Sequence, residues 1–255
     1  MDTCILKIYR GTPGRQYFEE FKLTYNTFSN VISLLMEIQR NPINKEGIKI
    51  EPIVWEMGCL EEVCGSCSML VNGIPRQTCT AIISKLIKEN NNNTIILAPL
   101  SKFPLIRDLI VDRSSMFESL KKAHAWIEAD NTQSKQDNTF SIDQEKQQTM
   151  YTLSTCMTCG CCLEACPQVN EKSAFEGAAV ISQVRLFNAH PLGFSKKSER
   201  LQAMMQEGGV MGCGNAQNCV KVCPKNIPLT ESIALIFKET LRESFKNFFS
   251  APDES

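Results

Sequence analysis

The chain has 255 residues, 43% hydrophobic and 22% charged, with a formal net charge of −1. That length holds two modest cores, and the near-neutral balance excludes the basic excess that draws a protein to nucleic acid. It contains no run of about 18 apolar residues, so no membrane span is expected. Met1-Asp2-Thr3-Cys4-Ile5-Leu6-Lys7 also lacks the basic-then-apolar order of a secretory signal.

Residues 4–9 and 17–25 alternate apolar and polar around Gly11-Thr12-Pro13-Gly14, which predicts a β-hairpin. Val31, Leu34, Leu35 and Ile38 mark one face of a helix that Asn41-Pro42 ends. Residues 51–55 read as a short strand. Residues 68–71, Asn72-Gly73 and 74–80 read as strand, tight turn and strand, with Cys79 at the end. Residues 90–93 form a loop tip, and 94–97 a closing strand. Residues 105–129 carry apolar positions at helical spacing (Leu105, Ile106, Leu109, Ile110, Met116, Phe117, Leu120) and predict a helix. The polar stretch 130–139 is a linker. Beyond Tyr151 the pattern is helices between cysteine loops, with candidates at 177–188, 199–207 and 229–249.

Eleven of the thirteen cysteines fall into three groups. The first is Cys59-x4-Cys64-Gly65-Ser66-Cys67, followed by Cys79, the spacing of plant-type [2Fe–2S] ferredoxins. The second is Cys156-x2-Cys159-x2-Cys162-x3-Cys166-Pro167, the bacterial ferredoxin run, whose fourth cysteine serves a different cluster from the first three. The third is Cys213-x5-Cys219-x3-Cys223-Pro224, which repeats the Cys-x3-Cys-Pro phrase of the second. Iron in a sulfide cluster is held by thiolates, and short spacings let one loop wrap it with backbone N–H groups at its sulfurs. Cys59, Cys64, Cys67 and Cys79 therefore make a complete set for [2Fe–2S]. Cross-ligation, as in two-cluster ferredoxins, joins Cys223 to Cys156, Cys159 and Cys162 as a [4Fe–4S] set, and Cys166 to Cys213 and Cys219. A complete third group would read Cys-x2-Cys-x2-Cys, but its middle position is Ala216. With three thiolates, that set is expected to hold [3Fe–4S].

Cys4 and Cys161 are left over and read as ordinary buried thiols. Structural zinc is the plainer alternative for paired cysteines, although zinc needs neither the plant-type loop nor the Cys-Pro run. His124, on the expected helix, and His190, before Pro191, read as surface or satisfied histidines. Lys196, Lys197 and Arg200 form a small basic patch, equally a solvated surface or a contact for anionic headgroups. No residue is singled out as catalytic. Neither a flavin-binding Gly-rich fingerprint nor an Arg/His constellation for a dicarboxylate stands out.

The three cysteine groups together resemble the iron–sulfur subunit of succinate dehydrogenase and fumarate reductase, and the resemblance covers essentially the whole chain. Ser182-Gln-Val-Arg-Leu-Phe-Asn-Ala-His-Pro191 and Cys223-Pro-Lys-Asn-Ile-Pro-Leu-Thr230 resemble the bacterial branch with a two-haem cytochrome b anchor and menaquinone. The resemblance implies an α+β fold. Residues 1–104 would be a β-grasp [2Fe–2S] domain, 105–145 a helical connector and polar linker, and 146–255 a helical domain carrying [4Fe–4S] and [3Fe–4S]. It implies a peripheral subunit at the cytoplasmic face of the bacterial inner membrane. There it would pass electrons from a flavoprotein through the three clusters, in that order, to the anchor and quinone. FAD and haem b would belong to the partner subunits. One departure matters. Ubiquinone-linked members have a Trp shortly after the cysteine matching Cys166 and a His directly after that matching Cys213. Here Gln168-Val169-Asn170 and Gly214 stand in those places, so no ubiquinone site is carried over. Two rivals stay open. One is the fumarate-reducing direction. The other is the iron–sulfur subunit of another flavoprotein, such as a glycolate or glycerol-3-phosphate oxidase, which generally lacks the plant-type group.

Overall fold

The computed structural model describes residues 2–128 and 141–250. The polar stretch 130–139, expected as a linker, lies outside the described residues. The chain divides into two compact units, one of Met1–Arg113 with Met157–Ala165, the other of Ser114–Cys156 with Cys166–Ser255. This differs from the consecutive segments 1–104, 105–145 and 146–255, because the middle of the second cysteine run folds with the first unit.

In the first unit β1 (Asp2–Thr12) and β2 (Arg15–Tyr25) pair antiparallel along their whole length, Asp2 opposite Tyr25 and Thr12 opposite Arg15. β3 (Ser68–Val71) and β4 (Ile74–Gln77) form the second hairpin, and β5 (Thr94–Ala98) lies between β1 and β3, parallel to β1. The order is β2-β1-β5-β3-β4. Period-two alternation puts Cys4, Leu6 and Ile8 of β1 into the core. There they meet Val31, Leu34, Leu35 and Ile38 of α1 (Val31–Arg40), the stripe that the helical spacing marks. The Asn72-Gly73 turn has positive φ at both residues, 53° and 79°, as a two-residue hairpin of this hand requires.

Asn30 starts α1 with a reciprocal capping box. Its side chain accepts from the Ser33 N–H at 2.8 Å, and the Ser33 hydroxyl accepts from the Asn30 N–H at 3.1 Å. The Asn30 amide also donates to the Cys79 carbonyl at 2.9 Å, so the helix start holds the last cysteine of the first group. Arg10 projects inward from β1 and pairs with Glu19 (2.7 Å) and Asp108 (3.1 Å), all nearly buried. Asp108 in turn accepts from the Gly11 and Val54 N–H groups, at 2.7 and 2.8 Å. That fixes the chain entering the first cysteine loop.

Three local expectations fail here. Residues 51–55 form no strand. They pair with no strand, with Ile53 in the core and Val54 bonded to Asp108 and Leu109. Residues 105–111 are not helical but form a small hairpin, β6 (Leu105–Arg107) and β7 (Ile110–Val111), turning at Asp108 with φ 49°. Residues 78–80 leave the strand after Gln77, and α2 (Ile83–Asn90), which the pattern did not announce, follows.

The second unit is helical: α3 (Ser114–Lys122), α4 (Gln144–Ser154), α6 (Ala178–Ala189), α7 (Lys197–Met205), α8 (Asn218–Val222) and α9 (Leu229–Ser250). The turn α5 (Cys161–Glu164) belongs to the first unit, where Glu164 accepts from the Ser101 hydroxyl and the Lys102 N–H at 2.6 and 3.0 Å. The second core gathers Val180, Ile181 and Val184 of α6 with Met204, Phe175, Val210 and Ile236. On α9, Ile236 is buried and Ile233 partly so, while Phe237, Leu241 and Phe245 are exposed.

The expected basic patch does not exist as a patch. Arg200 is fully buried and donates to the carbonyls of His124, Trp126 and Gly193 and to the Asn188 amide oxygen, at 2.6–3.2 Å. Lys196 pairs with Glu199, and Lys197 with Glu239. His124 lies in the turn after α3 rather than on a helix, and His190 caps the 3₁₀ turn Pro191–Lys196 by accepting from the Leu192 N–H. Among the described residues no helix is long and apolar enough to cross a membrane.

Candidate iron–sulfur centres

The first cysteine loop is built to solvate sulfur. Leu60, Glu62 and Gly65 adopt left-handed φ of 62°, 57° and 76°. Such alternation turns successive N–H groups inward. Cys59 Sγ accepts from the N–H groups of Glu61, Val63 and Cys64 at 3.3, 3.2 and 3.3 Å. Cys64 Sγ accepts from the Cys59 N–H at 3.4 Å and lies 3.4 Å from the Ser66 hydroxyl. Those donors, the Cys59 N–H first and then Ser66, hold the Cys64 thiol down to about 6. Cys67 and Cys79 lie deeper. They pack under Ile32 of α1 with Met36 and Trp55 at the edge, and burial, then the Cys67 thiol beside it, pushes Cys79 up to about 12. Thr78 clamps the Cys67 carbonyl at 2.8 Å, and Thr80 bonds Glu62 at 2.7 Å, which ties the Cys79 end to the Cys59 loop. The sequence therefore places two of the four thiols on a polar rim and two on an apolar floor.

Within the first unit this loop touches the second group. A Cβ on Gly65 would lie 2.9 Å from the Met157 carbonyl oxygen and 3.0 Å from Cys159 Cβ. Arg113 donates to the Gly65 carbonyl at 2.8 Å and to Glu56 at 3.1 Å. The Cys159 thiol is held down to about 7, by the side chain of Cys161 first and by the Arg113 charge among the lesser causes. Cys161 itself is fully buried, and its hydrogen bond to Cys159, with burial second, raises it. Cys161 is the buried thiol that the sequence suggests, but sequence reasoning passed over Gln77, Arg113, Asn30 and Asp108. The one available signal was Gly65, whose lack of a side chain permits the close approach.

Cys159 and Cys162 belong to the first unit, and Cys156 and Cys223 to the second. The three thiols of the remaining set all lie in the second unit. Cys166 and Cys213 pack against its core, and Cys219 is buried. Burial raises Cys219 first, and the charges of Cys166 and Cys213 also raise it. Ala216, between Asn215 and Gln217 with left-handed φ of 54° and 59°, is exposed. The Gln168 side chain fills the space that a Cβ on Gly214 would enter. Cys4 is a buried thiol of β1, pushed by burial up to about 11.

Among the described residues no three His, Cys, Asp or Glu side chains are grouped to hold a single metal ion. A sulfide-bridged cluster asks for something else, because each iron takes its own thiolates and the ligands surround a group rather than meet at a point. The all-thiolate donor sets and the N–H groups turned onto Cys59 and Cys64 fit such a group.

Two family models match: the 2Fe-2S iron-sulfur cluster binding domain over residues 5–118 and the 4Fe-4S dicluster domain over residues 152–227. Fold and matches together define an iron–sulfur protein with a strand-rich ferredoxin domain followed by a helical two-cluster domain. The chain is 55% identical to the succinate dehydrogenase iron-sulfur subunit of Bacillus subtilis, covering 92% of this chain and 90% of that protein. It is 29% identical to the fumarate reductase iron-sulfur subunit of Wolinella succinogenes, covering 91% and 94%. A chain in the structure of the Mycobacterium smegmatis Sdh1 complex has the same fold, with a TM-score of 0.80 and 21% identity, covering 95% of this chain and 97% of that one. The chain belongs to the family of iron–sulfur subunits of succinate dehydrogenase and fumarate reductase.

Proposed function

We propose that this chain is the electron-transfer subunit of a succinate:quinone oxidoreductase, taking electrons from a FAD-bearing flavoprotein and delivering them to a membrane-anchor cytochrome b. Cys59, Cys64, Cys67 and Cys79 would hold [2Fe–2S], Cys156, Cys159, Cys162 and Cys223 [4Fe–4S], and Cys166, Cys213 and Cys219 [3Fe–4S]. When bound, these groups supply iron that accepts and releases one electron without a bond being made or broken. The chain's own work is to hold them at short range, to exclude water from the buried thiolates, and to set their potentials by hydrogen bonds and charge.

The observation that carries this reading is the approach of the first two cysteine groups at Gly65 and Cys159, which suits transfer between neighbouring centres. Exposed Met57, Leu60 and Val63 around the Cys59–Cys64 loop offer an apolar face for the flavoprotein, and exposed Met211 before Cys213 offers one for the anchor. The likeness to the Bacillus subtilis subunit favours succinate oxidation over the reverse direction. Gln168 and Gly214 support menaquinone, reached through the anchor and its haem, over a ubiquinone pocket on this chain. The complex would sit at the cytoplasmic face of the bacterial inner membrane.

Redox-titrated EPR of the purified complex tests the reading. Three centres are expected, one of them a [3Fe–4S] signal in the oxidised sample. Two [4Fe–4S] signals and no [3Fe–4S] signal would overturn the assignment of the third set. Succinate-dependent dye reduction by the chain without a flavoprotein would overturn the division of labour.

A further inference from the structure

Gln77 ends β4 at 1% exposure, beside the point where the first two cysteine groups meet within the first unit. Its carboxamide has three neighbours. Oε1 lies 3.4 Å from Cys67 Sγ, and Nε2 lies 2.7 Å from the Ser68 hydroxyl and 3.8 Å from Cys161 Sγ. In that orientation the amide oxygen accepts from a Cys67 S–H. A thiolate that holds iron has no such proton. Two acceptors would then face one another in a buried site, where unmatched polar groups are most costly. The two ends of a carboxamide have nearly the same shape, and only hydrogen-bond partners decide which way it points.

Turned end for end, Gln77 presents a donor to Cys67 and an acceptor to Ser68. Nε2–H donates to Cys67, and Oε1 accepts from the Ser68 hydroxyl. That hydroxyl otherwise donates to the Gly65 carbonyl at 2.7 Å, but Gly65 keeps the Arg113 guanidinium as a donor at 2.8 Å. The Cys161 thiol keeps Cys159 as its partner. The flip leaves the second Nε2–H without a partner among these neighbours, and in exchange removes the two opposed acceptors at Cys67.

We propose that Gln77 is a positioning residue for the first centre, its carboxamide turned so that the N–H donates to the Cys67 thiolate and holds the reduction potential of [2Fe–2S] up. The inference rests on the reading that Cys59, Cys64, Cys67 and Cys79 hold that cluster. A donor draws electron density from the ligand sulfur and so favours the reduced state.

Gln77→Met fills the same space without an N–H. Redox-titrated EPR of the complex carrying it should show a lower [2Fe–2S] midpoint and unchanged midpoints elsewhere. The expected size is about a tenfold smaller reduced-to-oxidised ratio at fixed ambient potential, or about 59 mV for one electron. A midpoint that rises or stays put, or a common drift of all midpoints, overturns the proposal. Wild-type complex labelled with ¹⁵N only at glutamine side-chain amides gives a second readout that needs no variant. The reduced [2Fe–2S] signal should carry a ¹⁵N hyperfine coupling, and its absence overturns the proposal as well. If wild type shows no [2Fe–2S] signal at all, the cysteine assignment falls, and the inference with it.

Discussion

Gly65→Ala puts a methyl group where the first and second cysteine loops touch. Two costs add. The backbone there has φ +76°, and a left-handed conformation costs a residue with a Cβ about 1–2 kcal/mol. The new Cβ would lie 2.9 Å from the Met157 carbonyl oxygen and 3.0 Å from Cys159 Cβ. These are backbone or near-backbone atoms that cannot swing aside, and forced packing of this kind typically costs about 1–3 kcal/mol. The sum, about 2–5 kcal/mol, raises the open population of the loop by about 30-fold at the low end. Cluster loss to an iron chelator samples that open population when reclosing is fast. Bleaching of the purified complex by chelator should therefore accelerate by about 30-fold or more. Gly65→Asn separates the two costs, since Asn tolerates the left-handed region. It should keep the clash and still bleach about 5-fold faster than wild type. If both variants bleach at the wild-type rate, the loops are not in contact and the reasoning fails.

Ala216→Cys supplies the thiolate missing from the third group. The [3Fe–4S] signal proposed for the oxidised complex should vanish as a fourth iron is retained, and an unchanged signal would show that residue 216 does not face the proposed cluster. Asn30→Ala removes both the cap of α1 and the bond to the Cys79 carbonyl at 2.9 Å. A loss of about 1–2 kcal/mol is expected, read as a lower thermal unfolding midpoint with the [2Fe–2S] signal broadened. A variant as stable as wild type would deny Asn30 its capping role.

The local expectations that hold share one cause: the burial pattern repeats within a few residues. β1 alternates strictly, and α1 shows its stripe at Val31, Leu34, Leu35 and Ile38. The failures share another cause. Leu105, Ile106, Leu109 and Ile110 fit a helical period, yet the same spacing fits two short strands around a turn. What selects the strands is Asp108, whose carboxylate is claimed by Arg10, Gly11 and Val54. Helix α2 was missed because only Ile83 and Leu86 of its eight residues are buried, too few to declare a stripe. The basic patch was misread because the pattern cannot say that Arg200 turns inward to three carbonyls.

The sequence by itself determined the thiol chemistry on offer: which thiols are present, their spacing in three groups, and the alanine at 216. These are properties of short stretches of covalent chain, where a few residues of loop set what a cluster can reach. Tertiary structure alone decided what surrounds those thiols. Asn30 reaches Cys79 across 49 residues, Arg113 reaches Gly65 across 48, and Gln77 reaches Cys161 across 84. Contacts that distant depend on how the sheet, α1 and the returning segment Met157–Ala165 pack together, and no local periodicity encodes them. The donors and charges that tune sulfur act over a few ångströms of space rather than of sequence, so they became visible only in the fold.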